Sequence, residues 1–190
     1  MSDALEPDAA LRWLIAAGAQ NDVVEWTREH APGWEQWWAD CPRADWMLAT
    51  AARVGVPGDR LLQAALACVP VLSPYLPVDE PLIERALSFV RTFARGDHVS
   101  DATLASELNA LLSASSDVGA HAAVFAVSAL VDAVESPMSA ATYAASIAHA
   151  AMVDAGDCAM LQAKRYTDHA CAEAVRTQID GAFILGRLRG

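Results

Sequence analysis

Apolar residues recur along this chain at spacings of three and four, the period of a helix face, and seldom alternate. Leu11, Leu14, Ile15 and Gly18 share one face of a helix expected over residues 7–18. A second helix is expected over 21–30, with Asn21 as N-cap and Val23, Val24, Trp26 and Thr27 inside it. Pro32-Gly33 breaks the chain, and a short helix follows from Trp34 to Asp40. Pro42, suited to a first helical turn, opens a helix to about Val54. Gly55-Val56-Pro57-Gly58 is a turn, after which Asp59 caps a helix through Leu61, Leu62, Ala65 and Leu66. Pro70 ends or kinks that helix, and Ser73-Pro74-Tyr75-Leu76-Pro77 reads as a rigid loop.

The clearest apolar stripe comes next. Asp79 caps it, Pro81 sits in its first turn, and Leu82, Ile83, Ala86, Leu87, Val90 and Phe93 fall at helical spacing before a stop at Gly96. Ser100 opens a helix using Leu104, Leu108, Leu111 and Leu112, and Ser116 opens another that ends near Ser136-Pro137. An alanine-rich helix over 138–155 stops at Gly156, and Asp157 opens a long final helix with Gly181 or Gly186 as interruptions. No β-branched and polar alternation is framed by hairpin turns. The expected fold is therefore all-α, a bundle of about eight to nine antiparallel helices whose alanine-rich half packs with axes roughly 8 Å apart. One domain is expected over 1–190, the Trp-rich helices of 1–56 packing on a bundle formed by 57–190.

Charge narrows the function. The chain carries 24 acidic and 13 basic residues, a net charge of −11. Such a surface repels phosphate backbones and anionic membranes, so neither nucleic acid nor membrane is an expected partner. A basic protein or a cationic small molecule or peptide is the electrostatic complement. Between Arg95 and Lys164 no Lys or Arg occurs, while Asp97, Asp101, Glu107, Asp117, Asp132, Glu135, Asp154 and Asp157 do. That stretch is either a solvated acidic face or a docking surface for a positive partner. Asp132 and Glu135, an i, i+3 pair with no basic neighbour in sequence, are its candidate contact residues.

All six tryptophans lie within the first 46 residues. Trp34, Trp37, Trp38 and Cys41 have the spacing of one helical face. They form either a packed aromatic core or, with Trp34, Trp37 and Trp38 exposed, an anchor for a partner, as tryptophans do at binding hot spots.

Candidate chemistry is sparse. The sequence holds no HExxH, Cys/His finger spacing, GxSxG elbow, P-loop or GxGxxG, and no Glu has a His three residues later. Asp168 and His169 are adjacent on a helix and point about 100° apart, with Cys171 facing away, so they make no nucleophile and base. His121 and His149 lie on different alanine-rich helices and could face each other, but they read as core or surface histidines and not as ligands. No catalytic residue, cofactor or metal ligand is assigned. Cys41, Cys68, Cys158 and Cys171 have no CxxC spacing and read as small buried apolar residues. The acidic start, Met1-Ser2-Asp3-Ala4-Leu5-Glu6, lacks the layout of a signal peptide, and no apolar run reaches a bilayer's width, so a cytoplasmic location is expected.

Several segments carry a resemblance: Cys41-Pro42-Arg43-Ala44-Asp45-Trp46 followed by Ala52-Arg53-Val54-Gly55-Val56, Val71-Leu72 leading to Pro77-Val78-Asp79, and Pro81 through Arg85-Ala86-Leu87 to Ala94-Arg95-Gly96. Ala120-His121-Ala122-Ala123 and Ala148-His149-Ala150-Ala151 add a repeated motif. Over residues 34–155 the chain resembles the small, alanine-rich helical immunity proteins of bacterial toxin systems. It departs from them at Glu80-Pro81-Leu82, where they tend to carry Arg-Pro-Arg, and at Phe93, where they tend to carry Trp. The resemblance implies a binding role against a basic toxin and brings no active site with it. The leading expectation is a non-catalytic protein that neutralises or sequesters a positive partner. The alternative is a helical small-molecule or peptide binder of an accessory or self-resistance kind.

Overall fold

The computed structural model describes residues 8–31, 33–77, 80–97 and 100–189, apart from the side chains of residues 157, 158 and 189. All regular structure among them is helical: α1 (Ala9–Ala16), α2 (Asn21–His30), α3 (Trp34–Asp40), α4 (Ala44–Arg53), α5 (Gly58–Leu66), α6 (Val69–Leu72), a 3-10 turn at Ser73–Tyr75, α7 (Pro81–Ala94), α8 (Leu104–Ala114), α9 (Val118–Asp132), α10 (Ser139–Gln178) and α11 (Gly181–Arg189). The described residues thus hold eleven α-helices, more than the eight to nine expected. The surplus comes from short elements. Pro70 sits in the first turn of a separate one-turn helix, α6, and Ile179 adopts an extended conformation that divides α11 from α10.

Helix α10 is the axis of the molecule and packs most extensively against α9 and α4, then α5. Small side chains make this possible. Ala122, Ala123, Ala126 and Ala129 of α9 and Ala140, Ala144, Ala148 and Ala151 of α10 are all buried. At Gly156 the backbone turns out of the helical region (φ 65°, ψ 176°), so α10 is two helical segments, 139–155 and 157–178, meeting at the glycine that the sequence marks as a stop. Such torsions are essentially reserved to glycine.

Local capping explains where several helices begin. The expected cap Asp79 lies outside the described residues, and Glu80 caps α7 instead, its Oε1 accepting from the Leu82 amide at 3.1 Å. The apolar stripe of α7 is Ile83, Ala86, Leu87, Val90 and Ala94, all buried, while Leu82 and Phe93 stand at its margins. Asp117, not Ser116, caps α9, accepting from the Ala120 amide at 2.7 Å. Helix α8 starts at Leu104 and not at Ser100, because Asp101 Oδ1 accepts from the Thr103 amide and hydroxyl in a turn of its own. Gln20 occupies the N-cap position of α2 in place of Asn21, and Pro42 precedes α4 instead of opening it.

One buried apolar cluster runs from Ala10 to Ile184. Its N-terminal part is aromatic. Trp34 meets Trp13 edge-on at 5.4 Å and Trp37 at 5.6 Å, and Trp37 lies 6.3 Å from Trp38. Polar handles find partners inside: Trp37 Nε1 donates to Thr27 Oγ1 (2.9 Å), whose hydroxyl donates to the Val23 carbonyl (2.7 Å). Trp38 Nε1 donates to the Ile179 carbonyl (3.2 Å), and Arg176 donates to the carbonyls of Trp38 and Cys41 at the end of α3. A cation at a helix C-terminus satisfies orphan carbonyls and complements the dipole there. Gly181, at the start of α11, packs so closely on Trp38 that a Cβ would lie 3.0 Å from its ring. No helix among the described residues is long and apolar enough to cross a membrane.

Candidate functional site

The candidate residues divide sharply. Trp34, Trp37 and Trp38 are 3%, 0% and 4% exposed. They belong to the packed core and offer a partner no surface, so the exposed-anchor expectation is corrected. Three Trp in five residues are buried because α1, α2 and α11 enclose the short α3 on several sides, which spacing within one helix does not reveal.

The acidic stretch is cation-free in sequence but not in space. Arg85, from α7, reaches Asp101 (3.2 Å) and Glu107 (2.7 Å). Hydrogen bonding from Thr103, with Arg85 close by, holds the Asp101 carboxyl below the usual range. Asp117 is spent on capping α9. Asp97 and Asp154 are exposed, and the Asp157 side chain is outside the described set. Three of the eight acids, Asp101, Glu107 and Asp117, are thus already engaged by partners within the chain.

Asp132 and Glu135 behave differently. Asp132 is the last residue of α9 and Glu135 lies in the turn to α10. With Asp101 they line an open groove of about 910 Å³ between α7, the turn into α8 and the α9–α10 connection. Phe89 and Phe93 form its apolar side. No Lys or Arg lines it among the described residues, and neither Asp132 nor Glu135 has an ion-pair partner there. The last turn of α9 holds no basic residue either. A helix C-terminus carries about half a negative charge. Two carboxylates at that end face repulsion from each other and from the helix. Partial burial and the neighbouring Glu135 accordingly push the Asp132 carboxyl above its ordinary value.

A second concavity, about 390 Å³, lies between α1, α2, α4 and the first turns of α10. Leu14, Val23, Trp46 and Met138 supply apolar walls, and Asp45, Thr50 and Arg53 supply polar groups. Arg43 grips Asp45 with two hydrogen bonds (3.0 and 2.5 Å) and lies 4.4 Å from the Trp46 ring centroid. Trp46 Nε1 is buried and donates to nothing, a state that costs about 1–3 kcal/mol.

Asp168, His169 and Cys171, neighbours in sequence, have separate surroundings. Asp168 pairs with Lys164 (2.5 Å), while His169 is exposed and Cys171 buried. Burial pushes the Asp168 carboxyl up despite that lysine. Burial also pushes the Cys41 thiol up to about 12, which keeps it protonated and unreactive. Cys68 donates to the Ala64 carbonyl (3.6 Å) and lies 3.7 Å from the Cys171 carbonyl. The Cys171 side chain and burial raise its thiol well above the ordinary value. Tyr143, beside these cysteines, is wholly buried with an unpartnered hydroxyl. His121 Nδ1 donates to the Leu112 carbonyl (3.0 Å), tying α9 to α8, and His149 is exposed. Among the described residues no three His, Cys, Asp or Glu stand close enough to hold a metal ion.

Sequence reasoning singled out Asp132 and Glu135 but missed the groove. Phe89 and Phe93 are one helical turn apart and flank the buried stripe of α7, a signal present in the sequence. That they face the end of α9 depends on tertiary packing. The chain matches no family model, no curated protein and no solved structure.

Proposed function

We propose that this is a non-catalytic binding protein that holds a cationic segment of a protein partner in the groove between α7, α8 and the α9–α10 turn. The observation that carries this reading is the position of Asp132 and Glu135. Both are ionisable, neither has an ion-pair partner among the described residues, and both line the groove with Phe89 at the negative end of α9. An Arg or Lys entering the groove would relieve the carboxylate repulsion, satisfy the helix end and lay its aliphatic stem or guanidinium on Phe89. A bound cation thus removes an existing electrostatic cost, which a surface carboxylate already paired with a neighbour does not offer.

The resemblance to immunity proteins points to a basic toxin as the partner and to neutralisation as the outcome. The overall charge of −11 supports this by steering a positive partner over long range. Work in the cytoplasm suits the free, buried thiols of Cys41, Cys68 and Cys171. Binding of a hexa-arginine peptide, followed by isothermal titration calorimetry, tests the reading. Affinity should fall steeply as salt rises from about 50 mM to about 0.5 M, because the Debye length shrinks several-fold over that range. Affinity independent of salt, or no association at low salt, would contradict it.

A further inference from the structure

The cleft beside Trp46 calls for a ligand of the opposite kind. Its volume, about 390 Å³, is that of a small-molecule pocket, and Leu14, Val23, Trp46 and Met138 give it apolar walls. Its polar groups are unequal. Asp45 is neutralised by the two-pronged grip of Arg43. Arg53, in the last turn of α4, has no ion-pair partner among the described residues. What the cleft lacks is an acceptor with negative charge at one end of an apolar body. We propose that it binds a small amphipathic carboxylate, a short apolar chain or ring that packs on Val23 and Trp46 and whose carboxylate pairs with Arg53.

The net charge of −11 does not oppose this. At physiological ionic strength charges beyond about 8 Å are largely screened, so the local guanidinium outweighs the distant carboxylates. The exposed Met138 side chain, flexible and polarizable, is suited to closing over ligands of different shape. Ser139 lines both this cleft and the acidic groove, which places the two on either side of the start of α10. The proposal does not depend on the cationic partner.

Calorimetric titration with octanoate, and with octylammonium as the control of opposite charge, provides the test. Octanoate should bind saturably at one site, and octylammonium at least about tenfold more weakly. Arg53→Gln, an exposed position, should weaken octanoate by about tenfold while leaving the thermal midpoint in place. Ala145→Leu, also exposed but lining the cleft, should abolish binding by filling it. Absence of saturable octanoate binding, equal binding of the two probes, or unchanged affinity in both Arg53→Gln and Ala145→Leu would overturn the proposal.

Discussion

Buried polar atoms without partners are the residues under most tension in this protein. Tyr143 is wholly enclosed among α9, α10 and Cys68, and its hydroxyl donates to nothing. Replacing a buried unpaired polar group by an apolar one of the same shape is neutral to favourable. Tyr143→Phe should therefore be at least as stable as the parent, by up to about 1 kcal/mol, measured by urea unfolding. A loss of more than that would mean the hydroxyl has a role the packing does not reveal. Asp132 makes a pH-dependent counterpart. Its folded value is raised above the ordinary 3.8, so the native state holds this proton more tightly than the unfolded chain does. The sign follows: stability from this group is full below 3.8 and is lost as pH rises through the raised folded value. Subtracting the stability profile of Asp132→Asn from that of the parent should isolate a component that falls over that window. A flat difference would contradict the assigned repulsion from Glu135 and the α9 terminus.

At the scale of elements, the glycine between the halves of α10 sets the shape of the bundle. Gly156 holds a φ of +65°, and a Cβ there would meet no atom within 4 Å. Any penalty for Gly156→Ala is thus conformational and not steric crowding, and should be about 1–3 kcal/mol by thermal unfolding. An unchanged midpoint would mean the two segments tolerate a straight helix. This break was legible because glycine alone suits it, as was the α7 stripe, where period and burial agree. Caps were less legible. Ser100 and Ser116 are good capping residues, but Asp101 and Asp117 stand one position later and bind the backbone in their place. The number of helices was obscured by one-turn elements such as α6, too short for any periodic signal. The fate of the tryptophans was hidden for a different reason. Spacing identifies a shared face but says nothing of how many neighbours enclose it, and Trp38 is closed off by residues from 176 to 181.

Over the whole molecule the acidic surplus is not a uniform coat. Arg85 pairs with Asp101 and Glu107, Asp117 caps α9, and among the described residues Asp132 and Glu135 line a groove without an ion-pair partner. The pair was visible in the sequence as an i, i+3 spacing, while its setting required α7 and α9 to meet. Net charge then acts on encounter rate and this local pair on affinity, two effects that salt and mutation separate. The most direct measurement is the affinity of the hexa-arginine peptide for the parent, for Asp132→Asn/Glu135→Gln, and for Asp97→Asn/Asp154→Asn, a control with the same net charge change. The groove variant should bind at least about tenfold more weakly while the control stays within about twofold of the parent. Equal losses in the two variants would show that bulk charge attracts the cation and that the groove does not hold it.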